Sequence, residues 1–133
     1  MTITLANIDD TSLQEVFNAM LDHLRKQGCK SVVIADNDRR FCMYRHPDGL
    51  KCAVGIFIAD NEYTSSFEQR SAEEVLKDHL GRSVSPALCY LLSEAQNIHD
   101  NCAVHEWERA FETLASYTNC EFQTDLVYFP PTP

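Results

Sequence analysis

A chain of 133 residues, 44% apolar and 23% charged, is long enough to bury one core and too short for two, and this composition excludes wholesale disorder. Twenty acidic residues against 11 Lys and Arg give a formal charge of −9, which disfavours nucleic acid and anionic membrane as partners and favours a basic protein surface. From Ser83 onward Arg109 stands alone against Glu94, Asp100, Glu106, Glu108, Glu112, Glu121 and Asp125, so that part carries −6 of the −9.

In chain order, Met1 to Asp10 has neither the basic nor the apolar block of a leader, and no stretch approaches the ~20 apolar residues that span a bilayer. The expected setting is a reducing cytoplasm. Thr2 to Leu5 reads as a short strand or as an arm packed on the core. Leu13, Val16, Phe17, Met20, Leu21 and Leu24 recur at three- and four-residue steps and predict a helix from Thr11 to Gln27. Thr11 or Ser12 caps it, with Gln14 or Glu15 three residues on, and Gly28 ends it after Arg25 and Lys26. Lys30 to Ala35 is a β-branched run suited to a strand, followed by the turn Asp36-Asn37-Asp38.

A hairpin comes next, with arms Arg40 to Arg45 and Leu50 to Ile58 and a His46-Pro47-Asp48-Gly49 loop suited to a type I turn with a glycine bulge. That loop sets His46 opposite Leu50, Tyr44 opposite Cys52 and Cys42 opposite Val54. Cys42, Tyr44, Cys52, Val54, Ile56 and Ile58 then share one face, read as the core face. A second reading stays open, in which Cys52 to Ile56 begins a helix, because short apolar runs are ambiguous by period.

Beyond a polar loop, Ser71-Ala72-Glu73-Glu74 forms a capping box for a short helix to Leu80, closed by Gly81. A third helix starts at Ser85 with Pro86 in its first turn and runs through Leu88, Leu91, Leu92, Ala95 and Ile98. A fourth spans Cys102 to Tyr117, with Trp107, Ala110, Phe111, Leu114 and Ala115 on its buried side. Phe122 to Phe129 reads as a strand and Pro130 to Pro133 as an extended tail. The expected fold is α+β: three to four helices packed on a small, mainly antiparallel sheet, with residues 1–129 as one globular domain.

Six cysteines (Cys29, Cys42, Cys52, Cys89, Cys102, Cys120) read as thiols in a reducing setting, and none has the paired spacing of a structural zinc site. Cys42 and Cys52, on the inward face of the hairpin, read as small core residues rather than nucleophiles. His99-Asp100 resembles the dyad of HD-type phosphohydrolases, for which His79 and Asp125 are recruits on paper. His99 and His105 with Glu106 or Glu108 are a second metal-ligating set, against which stands a solvated helix end. Four glycines leave no phosphate-binding loop, although Arg39, Arg40, Arg45 and Lys51 offer charge to an anion. No catalytic residue, metal site or cofactor is assigned. The candidate ligand or partner surface comprises Arg40, Arg45, His46, Asp48, Lys51, His99, Asp100, Glu106, Glu108 and Glu112.

Cys42-Met43-Tyr44-Arg45 and Asp48-Gly49-Leu50-Lys51-Cys52-Ala53-Val54-Gly55, with Leu91-Leu92, Gln96, His99-Asp100 and Trp107 further on, resemble a group of small uncharacterised bacterial and phage proteins. Ala59 stands where that group often has a proline before the aspartate. The resemblance implies a phage or mobile-element origin and carries over no catalytic residues. The expected function is therefore that of a non-enzymatic acidic binding protein. If phage-encoded, it works in the host cytoplasm, inhibiting a nucleic-acid-handling or defence system by contact with a basic protein surface. The alternative is a site for a nucleotide or other small anion, or a metal-dependent hydrolase built on His99-Asp100. Self-association through a sheet edge is a third reading.

Overall fold

Ser12 and Glu15 each bond the other's backbone amide, and this capping box starts α1 (Leu13–Gln27), which Gly28 closes in the left-handed region at φ +69°. The computed structural model describes residues 2–68, 70–80 and 84–123, without the side chains of 79 and 80. The later helices start as the sequence predicts. Ser71 and Glu74 cap α2 (Ala72–Leu80), and the Ser85 hydroxyl caps α3 (Pro86–Asn101). The last helix divides in two: a 3₁₀ turn, Val104–Glu106, precedes α4 (Trp107–Thr118), because the Glu106 carboxylate folds back onto the Ala103 amide at 2.9 Å. The predicted strand and tail at the C-terminus lie almost wholly outside the described residues; Phe122 and Gln123, which are described, belong to no strand.

The chain is an α+β fold, with four α-helices and a two-stranded antiparallel sheet, β1 (Val32–Ile34) and β2 (Arg40–Cys42), among the described residues. Val33 pairs with Phe41 across it, and the connecting turn is closed by the Ala35 amide on the Arg39 carbonyl at 2.8 Å. Helix α3 packs against α1, α2 and α4. Phe17 of α1 meets Phe111 of α4 edge to face at 5.8 Å, and burying each ring contributes roughly 1.5–3 kcal/mol. No helix among the described residues is long and apolar enough to cross a membrane.

The predicted hairpin is correct at its tip and wrong beyond it. The His46 amide donates to the Leu50 carbonyl at 2.8 Å, Arg45 bridges Lys51, and Gly49 takes φ +93°, so the register is the expected one. The ladder then stops. Residues 50–58 form no second strand; instead the chain makes a 3₁₀ turn at Gly55–Phe57, close to the helical reading. Cys52, Ala53, Val54, Gly55, Phe57 and Ile58 are all buried, so the stretch is enclosed on every side rather than alternating. Its amides are taken locally and by a helix: the Gly55 amide donates to Cys52 Sγ and the Val54 amide to Gln96 Oε1. The N-terminal residues form an arm, not a strand, tied by the Leu5 amide to the Phe57 carbonyl at 2.8 Å.

At Gly55 an added Cβ would lie 2.1 Å from the Tyr44 carbonyl oxygen, a backbone atom that cannot step aside. Gly55→Ala should therefore destabilise the protein by about 3 kcal/mol, read as a lower urea midpoint. His23 donates from Nε2 to the Lys51 carbonyl at 3.0 Å, and burial above all holds its pKa below the usual 6.5. The fold thus favours neutral His23: its stabilisation is present above about pH 6.5 and is lost as pH falls through the lower folded value. His23→Gln should flatten this acid limb in urea titrations run on both sides of that value.

Candidate functional site

The hairpin tip is largely committed to the fold. Arg45 donates to the Ile58 carbonyl at 2.6 Å, pairs with Asp60 at 2.8 Å and lies 5.0 Å over the Tyr63 ring. His46 Nδ1 accepts the Asp48 amide at 3.0 Å, which fixes the loop. Lys51 is held by its backbone, its amide donating to Gln27 Oε1 and its carbonyl accepting from Gln27 Nε2, both at 2.9 Å. Of the tip residues predicted as a surface, Asp48 is the open one, with 84% of its side chain exposed.

His99 and Asp100 do not form a solvated helix end. His99 has no exposed surface, because the strand side of the core packs over the last turn of α3 and Trp107 stacks on its ring at 5.8 Å. Its Nε2 accepts the Ser31 amide at 3.0 Å, which places the ring proton on Nδ1, and Nδ1 donates to Asp100 Oδ1 at 2.8 Å. Gln96, one turn earlier, donates to the same oxygen at 2.8 Å while its own carbonyl oxygen holds the Val54 amide. The Cys42 thiol lies beside the same carboxylate, and Cys42 is half-buried there rather than part of the core.

Potential ligand atoms of Cys42, His99 and Asp100 lie within 4.8 Å of one another. The protons decide what they can do. A cysteine nucleophile needs a neighbouring base with a free lone pair, whereas here Nδ1 of His99 carries the proton it gives to Asp100 and the Nε2 lone pair is taken by the Ser31 amide. Burial first, and then the charge of Asp100, push the Cys42 thiol up to about 12. A metal on Nδ1 would have to displace its proton while Nε2 stays bound to the Ser31 amide. Among the described residues, His105, Glu106 and Glu108 do not join this group. Of the residues recruited for the phosphohydrolase reading, the His79 side chain and Asp125 lie outside the described residues.

Beside this centre β2, the start of α2 and the end of α3 enclose a cavity of about 400 Å³, lined by Arg40, Cys42, Arg70, Ser71, Gln96 and Asp100, with Phe41 and Tyr44 as its aromatic walls. Tyr44 donates its hydroxyl to the Arg70 carbonyl, and Arg70 pairs with Asp78. The fold thus brings two predicted residues, Arg40 and Asp100, to one place and adds Cys42, Arg70 and Gln96. The Gln96-Asp100 spacing of four on a helix that buries His99 is a signal for Gln96. Arg70, next to a capping box, carries none.

The acidic residues separate. Glu108 is bidentate to Arg25 at 2.6 and 2.8 Å and ties α4 to α1, Glu112 is exposed, and Glu106 stands at the edge of a groove of about 360 Å³ between α3 and α4. Tyr90, Ile98, Leu114 and Tyr117 line that groove, with Glu94 and Arg109 beside them. Tyr90 is 45% and Tyr117 73% exposed. An aromatic on the polar side of an amphipathic helix is the signal by which both can be found.

Alkylation tests the state of the centre. At about pH 8 the thiolate fraction of Cys42 is some thousandfold below that of an ordinary thiol, so iodoacetamide should label exposed Cys29 well ahead of Cys42. Asp100→Asn should speed labelling at Cys42; equal rates at the two cysteines in peptide mass maps would contradict the assignment. Compared with protein-family models, curated proteins and solved structures, the chain matches none.

Proposed function

We propose that the protein works by binding another protein, and that the groove between α3 and α4 receives a basic amphipathic helix of that partner. The observation that carries this reading is the apolar floor of Ile98 and Leu114 with exposed Tyr90 and Tyr117 over it and Glu94 and Glu106 at its edge. Tyrosines of this kind supply contact area at small entropic cost, and an apolar groove between helices is how amphipathic helices are received. The −6 carried from Ser83 onward favours a basic partner for this part of the chain. The protonated thiol and committed imidazole of the His99-Asp100 centre favour binding over covalent chemistry. For a phage or mobile-element accessory protein, the partner would be a host nucleic-acid-handling or defence protein whose basic surface is covered and inhibited.

A fluorescein-labelled peptide with lysine and leucine at helical spacing serves as the probe, read by anisotropy. Binding should weaken roughly tenfold or more in Tyr90→Ala/Tyr117→Ala. It should also weaken between about 50 and about 500 mM salt, and it should be unchanged in Asp48→Asn. Equal binding by the wild type and the groove variant would refute this site.

A further inference from the structure

We propose that the cavity between β2, α2 and α3 is a binding site for small zwitterions, molecules that join an ammonium group to a carboxylate or phosphate. Its floor is a carboxylate already fixed in direction. Asp100 Oδ1 takes bonds from His99 Nδ1 and Gln96 Nε2, both at 2.8 Å, while 30% of the side chain stays exposed. His99 itself is locked by the Ser31 amide and the Trp107 ring, so the carboxylate is positioned before any ligand arrives. Two arginines, Arg40 and Arg70, are among the residues that line the same cavity. Arg70 is paired with Asp78, the Asp100 side chain bonds His99 and Gln96, and among the described residues no ion pair joins Asp100 to either arginine.

Opposite charges in one cavity select by exclusion as much as by attraction. A simple anion meets the arginines but also faces Asp100, and a simple amine meets Asp100 but faces the arginines. A zwitterion satisfies both: its ammonium bonds the carboxylate, and its anionic group takes the guanidinium donors, Arg being suited to carboxylate and phosphate alike. About 400 Å³ lies at the small end of ligand pockets, and Phe41 and Tyr44 offer apolar contact to a short side chain. This site is separate from the α3–α4 groove, sharing no lining residue with it.

Thermal shift and calorimetry with the L-amino acids and phosphoethanolamine test the proposal, with inorganic phosphate, acetate and methylamine as single-charge controls. At least one zwitterion should raise the Tm by several degrees and bind some tenfold or more tighter than every control. That affinity should drop about tenfold in Arg40→Ser, a change at an exposed side chain, and in Asp100→Asn, which keeps an acceptor for His99. It should be untouched in Tyr90→Ala/Tyr117→Ala, so the two sites stand or fall separately. Absence of binding by the whole panel at about 10 mM would overturn the proposal. So would phosphate or methylamine binding as tightly as the best zwitterion, or undiminished binding by folded Arg40→Ser.

Discussion

Apart from its exposed turn at residues 47–49, the stretch from Tyr44 to Ile58 packs into the core with no strand ladder beyond the Arg45–Lys51 bridge, and much of the structure is arranged around satisfying its backbone. A buried amide left without a partner costs about 1–3 kcal/mol, and several such losses would exceed the net stability of a small domain. Side chains supply the missing partners. Gln27 of α1 bonds the Lys51 amide and carbonyl, Gln96 of α3 bonds the Val54 amide, and the Glu68 carboxylate accepts the Tyr44 and Arg45 amides at 2.9 and 3.2 Å. Arg45 in turn bonds the Ile58 carbonyl, and the Phe57 carbonyl takes the Leu5 amide. Gly55 is part of the same solution, since it passes the Tyr44 backbone too closely for any side chain.

The His99-Asp100 centre is where this structural demand meets the proposed ligand cavity. His99 accepts the Ser31 amide and so joins α3 to the start of β1, while Gln96 joins α3 to the irregular stretch; both then converge on one oxygen of Asp100. The bonds that hold the fold therefore also aim a carboxylate into the cavity. They commit the lone pair and the proton of the imidazole, which removes the base that cysteine chemistry needs. The result is a rigid polar centre suited to recognition.

Helix α3 carries both surfaces without conflict because of its period. Tyr90, Glu94 and Ile98 follow one another at four-residue steps and line the groove against α4, whereas Gln96 and Asp100, offset by two residues, line the cavity toward β2. Leu91, Leu92 and Ala95 lie in the core. Helices α1, α2 and α4 all pack against α3.

The helices, their caps and the hairpin tip are legible in the sequence because each depends on residues within one or two turns. Ser12 with Glu15, Ser71 with Glu74, Pro86 after Ser85, and Gly49 in a left-handed turn all state local geometry. The path of residues 52–58 is different. Its apolar run carries no period that separates strand from helix, and the choice fell to Gln96, some forty residues away, taking an amide that a ladder would have used. His99 follows the same rule: a polar pair at a helix end has the look of a solvated terminus, and only the approach of Ser31 and Trp107 buries it. What neighbours in the chain could satisfy, the sequence determined by itself; which distant groups would satisfy the buried polar atoms of the core, and so where Asp100 points, was decided by tertiary packing.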